Sequence, residues 1–216
     1  GHRNNVIDKI VFWGLCAVLV FVPLPLGSVE EWAVFVFEAA TLALFLLYLG
    51  GQLFARRTAK SAARLPRFFK LALGVFLAFS FIQLIPLPAG LVRVLSPRTH
   101  AIFSGLVRDG IAAPSSWLTL SLSPSATLSE LILILCYGVF GFLMLRTVRS
   151  RRQVEALVLV VLASAVFQAI YGMAETFSGS EHIFWLKKKY YLGCATGTYV
   201  NRNHFAGFLE MAFPLS

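Results

Sequence analysis

Long apolar runs separated by short polar stretches dominate the chain. A helix crosses the ~30 Å hydrocarbon core of a bilayer with about 20 residues. Stretches of that length carrying at most one charge recur at 10–29, 32–55, 71–92, 126–145 and 156–174, with Glu38 inside the second and Glu130 near the start of the fourth. A sixth begins near Asn203 and stops at Ser216 after 14 residues, too short to span. The pattern predicts an all-α polytopic membrane protein with five complete transmembrane helices and a truncated sixth. Helices one to three with an outer amphipathic loop occupy 1–125, and helices four to six occupy 126–216. The chain is expected to be the N-terminal part of a larger protein. Arg3 and Lys9 before an apolar run imitate a signal peptide, but Pro23-Leu-Pro-Leu-Gly-Ser28 offers no small-x-small cleavage site, so an uncleaved first span is expected.

Composition supports the membrane reading. Of 216 residues 58% are hydrophobic and 13% charged, with a mean hydropathy of +0.77. A soluble domain carries about 25% charged residues and needs more polar cover than this chain has. Disorder is excluded by the same surplus of apolar residues. The net charge of +9 would point a soluble chain toward nucleic acid. Alternating spans instead sort the charge by side. Arg3, Lys9, Arg56, Arg57, Lys60, Arg64, Arg67, Lys70, Arg146, Arg149, Arg151 and Arg152 fall on one side. The positive-inside rule makes that side cytoplasmic, the N-terminus included. No nucleic-acid partner is expected. Cys16, Cys136 and Cys194 are far apart and form no CxxC, so neither a disulfide framework nor a zinc site is expected.

Arg93, Arg98, Arg108, Lys187, Lys188, Lys189 and Arg202 remain on the outer side, where topology does not favour them. The first outer loop, 88–125, is too long for a turn. Ser96-Pro97 reads as N-cap and first helical residue, with Ile102, Phe103, Leu106 and Val107 as one apolar face. Trp117 to Leu122 alternates with the period of an extended segment. Ser123-Pro124 starts span four, and Thr127 to Glu130 fits a capping box. The second outer loop holds Trp185-Leu-Lys-Lys-Lys-Tyr-Tyr191. It reads either as an interfacial belt with snorkelling lysines or as a docking site for a phosphorylated ligand.

Polar residues inside spans are costly and turn toward the bundle or a cavity. Glu38, Thr41, Phe45, Tyr48 and Gln52 share one helix face, as do Ser80 and Gln83, as do Ser164, Gln168, Tyr171 and Glu175, and as do Asn203, Ala206, Gly207 and Glu210. Glu38 lies about 9 Å below Trp32, and Glu210 about 10 Å below Asn203, at 1.5 Å per residue. Each stripe alone fits inter-helix hydrogen bonding. Together they point to a polar chamber open to the outer leaflet. The densest polar cluster is Thr196-Gly-Thr-Tyr-Val-Asn-Arg-Asn-His204, leading straight into span six. Asn201 or Asn203 can cap that helix, and backbone N–H groups with Arg202 would form an anion site.

Four segments resemble the bacterial O-antigen ligase/polymerase superfamily: Gln83-Leu-Ile-Pro-Leu-Pro88, Leu95-Ser-Pro97, Trp117 through Leu-Ser-Leu-Ser-Pro124, and Gly197-Thr-Tyr-Val-Asn-Arg-Asn-His-Phe-Ala-Gly-Phe-Leu-Glu-Met211. They cover roughly 80–216, and the last is the most specific. The resemblance implies a GT-C-like, metal-independent glycosyltransferase of the bacterial inner membrane that needs no cofactor. It would transfer or polymerise a glycan carried on undecaprenyl pyrophosphate at the periplasmic face, with a glycan or lipid A-core as acceptor. Many members carry an arginine before the Thr-Gly step, where this chain has Cys194-Ala195. Members also hold essential arginines and a histidine in a large loop beyond the last segment, so the fragment alone is expected to be inactive.

A pyrophosphate leaving group needs fixed positive charge, and a sugar hydroxyl needs a base. Arg202 and His204 are the candidate catalytic residues. Lys187, Lys188 and Lys189 would contact the donor pyrophosphate, Asn201 and Asn203 would orient phosphate or hydroxyl groups, and Glu38 and Glu210 would pair with arginines of later spans. The alternative is a transporter half or scaffold subunit, its polar stripes lining a path. Transporter acids belong near the midplane, whereas these lie in the outer half. The chain has no Walker loop, GxSxG, HExxH or dinucleotide fingerprint.

Overall fold

The computed structural model describes residues 2–54 and 67–215. Arg56, Arg57, Lys60 and Arg64, part of the charge asymmetry above, lie outside the described residues. In chain order come α1 (His2–Phe21), α2 (Glu31–Phe54), α3 (Arg67–Ile82), β1 (Leu87–Pro88), α4 (Ala89–Leu95), α5 (Pro97–Arg108), β2 (Trp117–Leu118), α6 (Pro124–Thr147), α7 (Arg151–Ser178), β3 (His182–Ile183), β4 (Leu186–Lys187) and α8 (Arg202–Ala212), closed by a 3-10 turn, Phe213–Leu215. Two compact units emerge: Gly1–Ala62 with Cys136–Ser216, and Ala63–Leu135.

Three described helices are long and apolar enough to cross a membrane: Glu31–Leu53, Pro124–Thr147 and Arg151–Ser178. The apolar run expected at 10–29 is helical only to Phe21 and then turns through Pro23 and Pro25. The run expected at 71–92 gives a shorter apolar helix, Leu71–Ile82. Pro86 and Pro88 follow, and each drives the residue before it out of the helical region.

In the first unit, α1 packs on α2 and α7, and α7 on α8. Val11, Leu15, Tyr48 and Leu143 form a buried cluster, with Ile7, Phe45 and Met144 half-buried around it. On α2 the inward positions are Ala33, Phe37, Thr41 and Tyr48, while Phe35, Leu42, Leu46 and Leu53 point out. Large apolar side chains cover the outward face, the reverse of a soluble helix. Such a surface suits hydrocarbon and would aggregate in water. The turn between α1 and α2 takes left-handed backbone at Leu26, Gly27 and Ser28. The Ser28 hydroxyl ties it by donating to the Val22 carbonyl at 2.6 Å.

In the second unit, β1 pairs antiparallel with β2, Leu87 opposite Leu118 and Pro88 opposite Trp117. The Ser121 amide extends the contact by donating to the Gln83 carbonyl at 3.1 Å. α5 begins at Pro97 with Ser96 as N-cap, as its Ser-Pro step predicts. The Ser96 hydroxyl donates to the Thr99 hydroxyl at 2.9 Å rather than capping an amide. The capping box expected from Thr127 to Glu130 is not formed. α6 starts at Pro124, so Thr127 sits inside the first turn and its hydroxyl pairs with Ser121 at 2.8 Å, while Glu130 is exposed.

Candidate functional site

α7 carries the site. Its first turn is held by a capping box between Ser150 and Gln153. Its last turn ends at Gly179, in the left-handed conformation that favours glycine. Between them the expected stripe faces inward, with Ser164, Gln168 and Glu175 buried and Tyr171 half-buried.

Gln168 has no exposed surface and locks three segments together. Its Oε1 accepts from the Thr198 amide at 2.9 Å, and its Nε2 donates to the Thr198 hydroxyl at 2.6 Å. That hydroxyl donates in turn to the Pro23 carbonyl at 2.6 Å. Gly197 makes this approach possible. It adopts φ +55°, and a Cβ there would lie 2.5 Å from Gln168 Oε1 and 2.8 Å from the Phe205 ring. The polar run 196–204 is therefore partly a structural joint, because Thr196, Gly197 and Thr198 are buried.

One turn above Gly172, Glu175 is reached by Lys188, and the side chains of this pair are 3% and 2% exposed. Lys188 Nζ also donates to the Cys194 carbonyl at 2.9 Å, and its amide to the Glu181 carbonyl at 2.8 Å. The Glu181 carboxylate accepts from the Gly193 amide at 2.8 Å. The segment 181–194 is thus closed on itself and pinned to α7. β3 and β4 form its hairpin, His182 opposite Lys187 and Ile183 opposite Leu186. At the hairpin tip the Phe184 amide donates to the Tyr171 hydroxyl at 2.7 Å. Rings of Phe167, Tyr171, Phe184 and Trp185 follow one another at 5.3 to 5.9 Å, ending at Trp185, which is 83% exposed.

The three lysines therefore differ. Lys188 is buried and neutralised by Glu175, while Lys187 and Lys189 are exposed. All three line a cavity of about 300 Å³ with Glu30, Leu26, Tyr190 and Val200. Strand β4 and the Glu175–Lys188 pair fix the backbone that carries the two exposed ammonium groups. The cavity offers positive charge to an anion, tempered by the Glu30 carboxylate.

The start of α8 is a second polar patch. Asn201 is the N-cap, its side-chain oxygen accepting from the Asn203 amide at 2.8 Å. Arg202, Asn203 and His204 are exposed. The Arg202 guanidinium lies over the Tyr191 ring at 5.6 Å and donates to Cys194 Sγ at 3.7 Å, so it stands beside the hairpin segment but does not line the lysine cavity. Tyr199 packs on Phe205 and Phe208. Burial pushes its hydroxyl pKa up to about 12.

The carboxylates singled out by sequence lie in different settings. Glu175 is buried and paired, Glu38 half-buried on α2, and Glu210 exposed on α8, whose buried face is Phe205 and Ala212. Sequence reasoning found the stripe on α7 but not the partners Lys188 and Thr198, and it passed over Glu30. The available signal was Gly197 beside two threonines, a glycine where the chain must come close to a helix. Among the described residues no group of three His, Cys, Asp or Glu side chains is placed to hold a metal. No protein-family model, curated protein or solved structure matches the chain.

Proposed function

We propose that the chain belongs to a glycosyltransferase of cell-surface polysaccharide assembly. It is GT-C-like, with five spans and the beginning of a sixth, in the bacterial inner membrane with its N-terminus cytoplasmic. It transfers or polymerises a glycan from undecaprenyl pyrophosphate at the periplasmic face onto a glycan or lipid A-core acceptor. The observation that carries this reading is the arrangement at the end of α7. A buried Glu175–Lys188 pair fixes a hairpin that presents Lys187 and Lys189 to a cavity, with Arg202 next to the same segment.

In the reaction the acceptor hydroxyl oxygen bonds to the anomeric carbon as the bond to the pyrophosphate oxygen breaks. Charge accumulates on the leaving pyrophosphate. Lys187 and Lys189 meet it as ammonium point charges, and Arg202 as a forked donor. Cations fixed before the reaction stabilise that charge without reorganising. The acceptor proton passes to a base, and exposed His204, in the first turn of α8, is the residue of suitable chemistry. Asn203, exposed beside it, orients phosphate or hydroxyl groups, while Asn201 holds the helix start. Glu210 and Glu38 are left to pair with arginines of later spans.

The test is donor turnover by the full-length protein. Lys187→Ala/Lys189→Ala and, separately, Arg202→Ala are each expected to lower it by about a hundredfold, the usual effect of removing a charge-stabilising donor. Unchanged turnover in both variants would remove the anion site from the mechanism.

A further inference from the structure

The other end of α7 holds a larger cavity, of about 520 Å³, between residues 8–13 of α1, the end of α6 and the start of α7. Lys9, Arg149 and Arg152 line it, all exposed, together with Asp8, Phe12 and Trp13. Three cations against one carboxylate leave a net positive site. Arg149 Nε donates to the Arg146 carbonyl at 2.9 Å, which fixes the orientation of its guanidinium at the cavity. Just before α7 the amides of Arg149 and Ser150 donate to Gln153 Oε1 at 2.9 and 3.1 Å, and within its first turn the Gln153 amide donates to Ser150 Oγ at 3.3 Å. The basic side chains supply the positive charge for an anion here.

Depth narrows the choice of ligand. The candidate spans Pro124–Thr147 and Arg151–Ser178 end and begin at the cavity, which puts it at the edge of the hydrocarbon in a membrane arrangement. Trp13 is 60% exposed beside it and meets Phe12 edge to face at 5.3 Å. An indole at this level occupies the headgroup zone. Basic pockets between membrane helices on the cytoplasmic side suit lipid phosphates.

We propose that this cavity binds the headgroup phosphate of an anionic glycerophospholipid. The Nη groups of Arg149 and the Arg152 guanidinium donate to the phosphate oxygens. Lys9 adds a point charge, and Trp13 flanks the glycerol. A free phosphate has the same charge chemistry, but it gains nothing from the aromatic wall.

The experiment is a thermal-stability titration of the full chain in detergent with short-chain phosphatidylglycerol, phosphatidylcholine and inorganic phosphate. Phosphatidylglycerol is expected to stabilise the wild type, and the other two are not. Arg149→Ala/Arg152→Ala is expected to weaken the phosphatidylglycerol response about thirtyfold, and Lys9→Gln about fivefold, from the usual contribution of a basic residue near an anionic surface. Arg151→Ala removes one charge from the same turn, but Arg151 is paired with Glu155 outside the cavity, so that variant is expected to keep the response. An equal response to phosphatidylcholine, or an undiminished one in Arg149→Ala/Arg152→Ala and Lys9→Gln, overturns the proposal. Inorganic phosphate matching phosphatidylglycerol overturns the lipid assignment.

Discussion

Lys188 and Glu175 are buried together, and a pair of this kind stabilises mainly by making each partner tolerable. Lys188→Met leaves a carboxylate in an apolar setting, with the Cys194 carbonyl also deprived of its donor. It is expected to cost about 3–5 kcal/mol in reversible SDS unfolding. Lys188→Met with Glu175→Gln should recover most of that loss; equal losses in the single and double variants would show that the pair is not coupled. Tyr199 tests burial at the same scale. Its hydroxyl is pushed up to about 12 from the ordinary 10 by desolvation. The folded state then holds a proton that the unfolded chain gives up, so the contribution is intact below pH 10 and falls as pH rises toward 12. Wild type should lose more stability than Tyr199→Phe between pH 9.5 and 11.5, and parallel curves would contradict the assignment.

Helices were the most readable elements, because apolar runs of about 20 residues have few other meanings. Their ends were less readable. α7 begins five residues before the apolar run at 156, since Ser150 and Gln153 cap it and polar Arg151 and Arg152 fill the first turn. The Ser-x-x-Gln spacing was present in the sequence but is short and common. At α6 the proline at 124 outranks Thr127 as the starting signal. Ser150→Ala removes the oxygen that accepts the Gln153 amide. A loss of about 1 kcal/mol is expected in the same unfolding measurement, and a loss no greater than in Arg149→Ala would argue that the box contributes nothing.

Across the whole molecule the outward apolar side chains and the inward Thr41, Ser164 and Gln168 express one pattern, a surface made for lipid. That pattern was legible from composition. The site was legible only in part. Lys187, Lys189 and Arg202 stood out because the expected alternation of spans puts them on the outer side, where basic residues are disfavoured. Lys188 could not be told from its neighbours, since its partner lies 13 residues earlier on another element. Gln168 and Thr198 meet Pro23 across 145 and 175 residues, a separation that no local spacing encodes. The proposed orientation has its own check. With Cys16, Cys136 and Cys194 replaced by serine, Lys189→Cys should react with an impermeant maleimide in intact spheroplasts, and Arg151→Cys only after permeabilisation. The opposite pattern would invert the topology and move the lysine cavity away from the donor.

The most direct measurement is product balance. The full-length protein in proteoliposomes would be given a glycan on undecaprenyl pyrophosphate with either a glycan or a lipid A-core acceptor, and the lipid and glycan products would be quantified by mass spectrometry. The account predicts one free undecaprenyl pyrophosphate for each glycan unit added to the acceptor. Intact donor with both acceptors would contradict it.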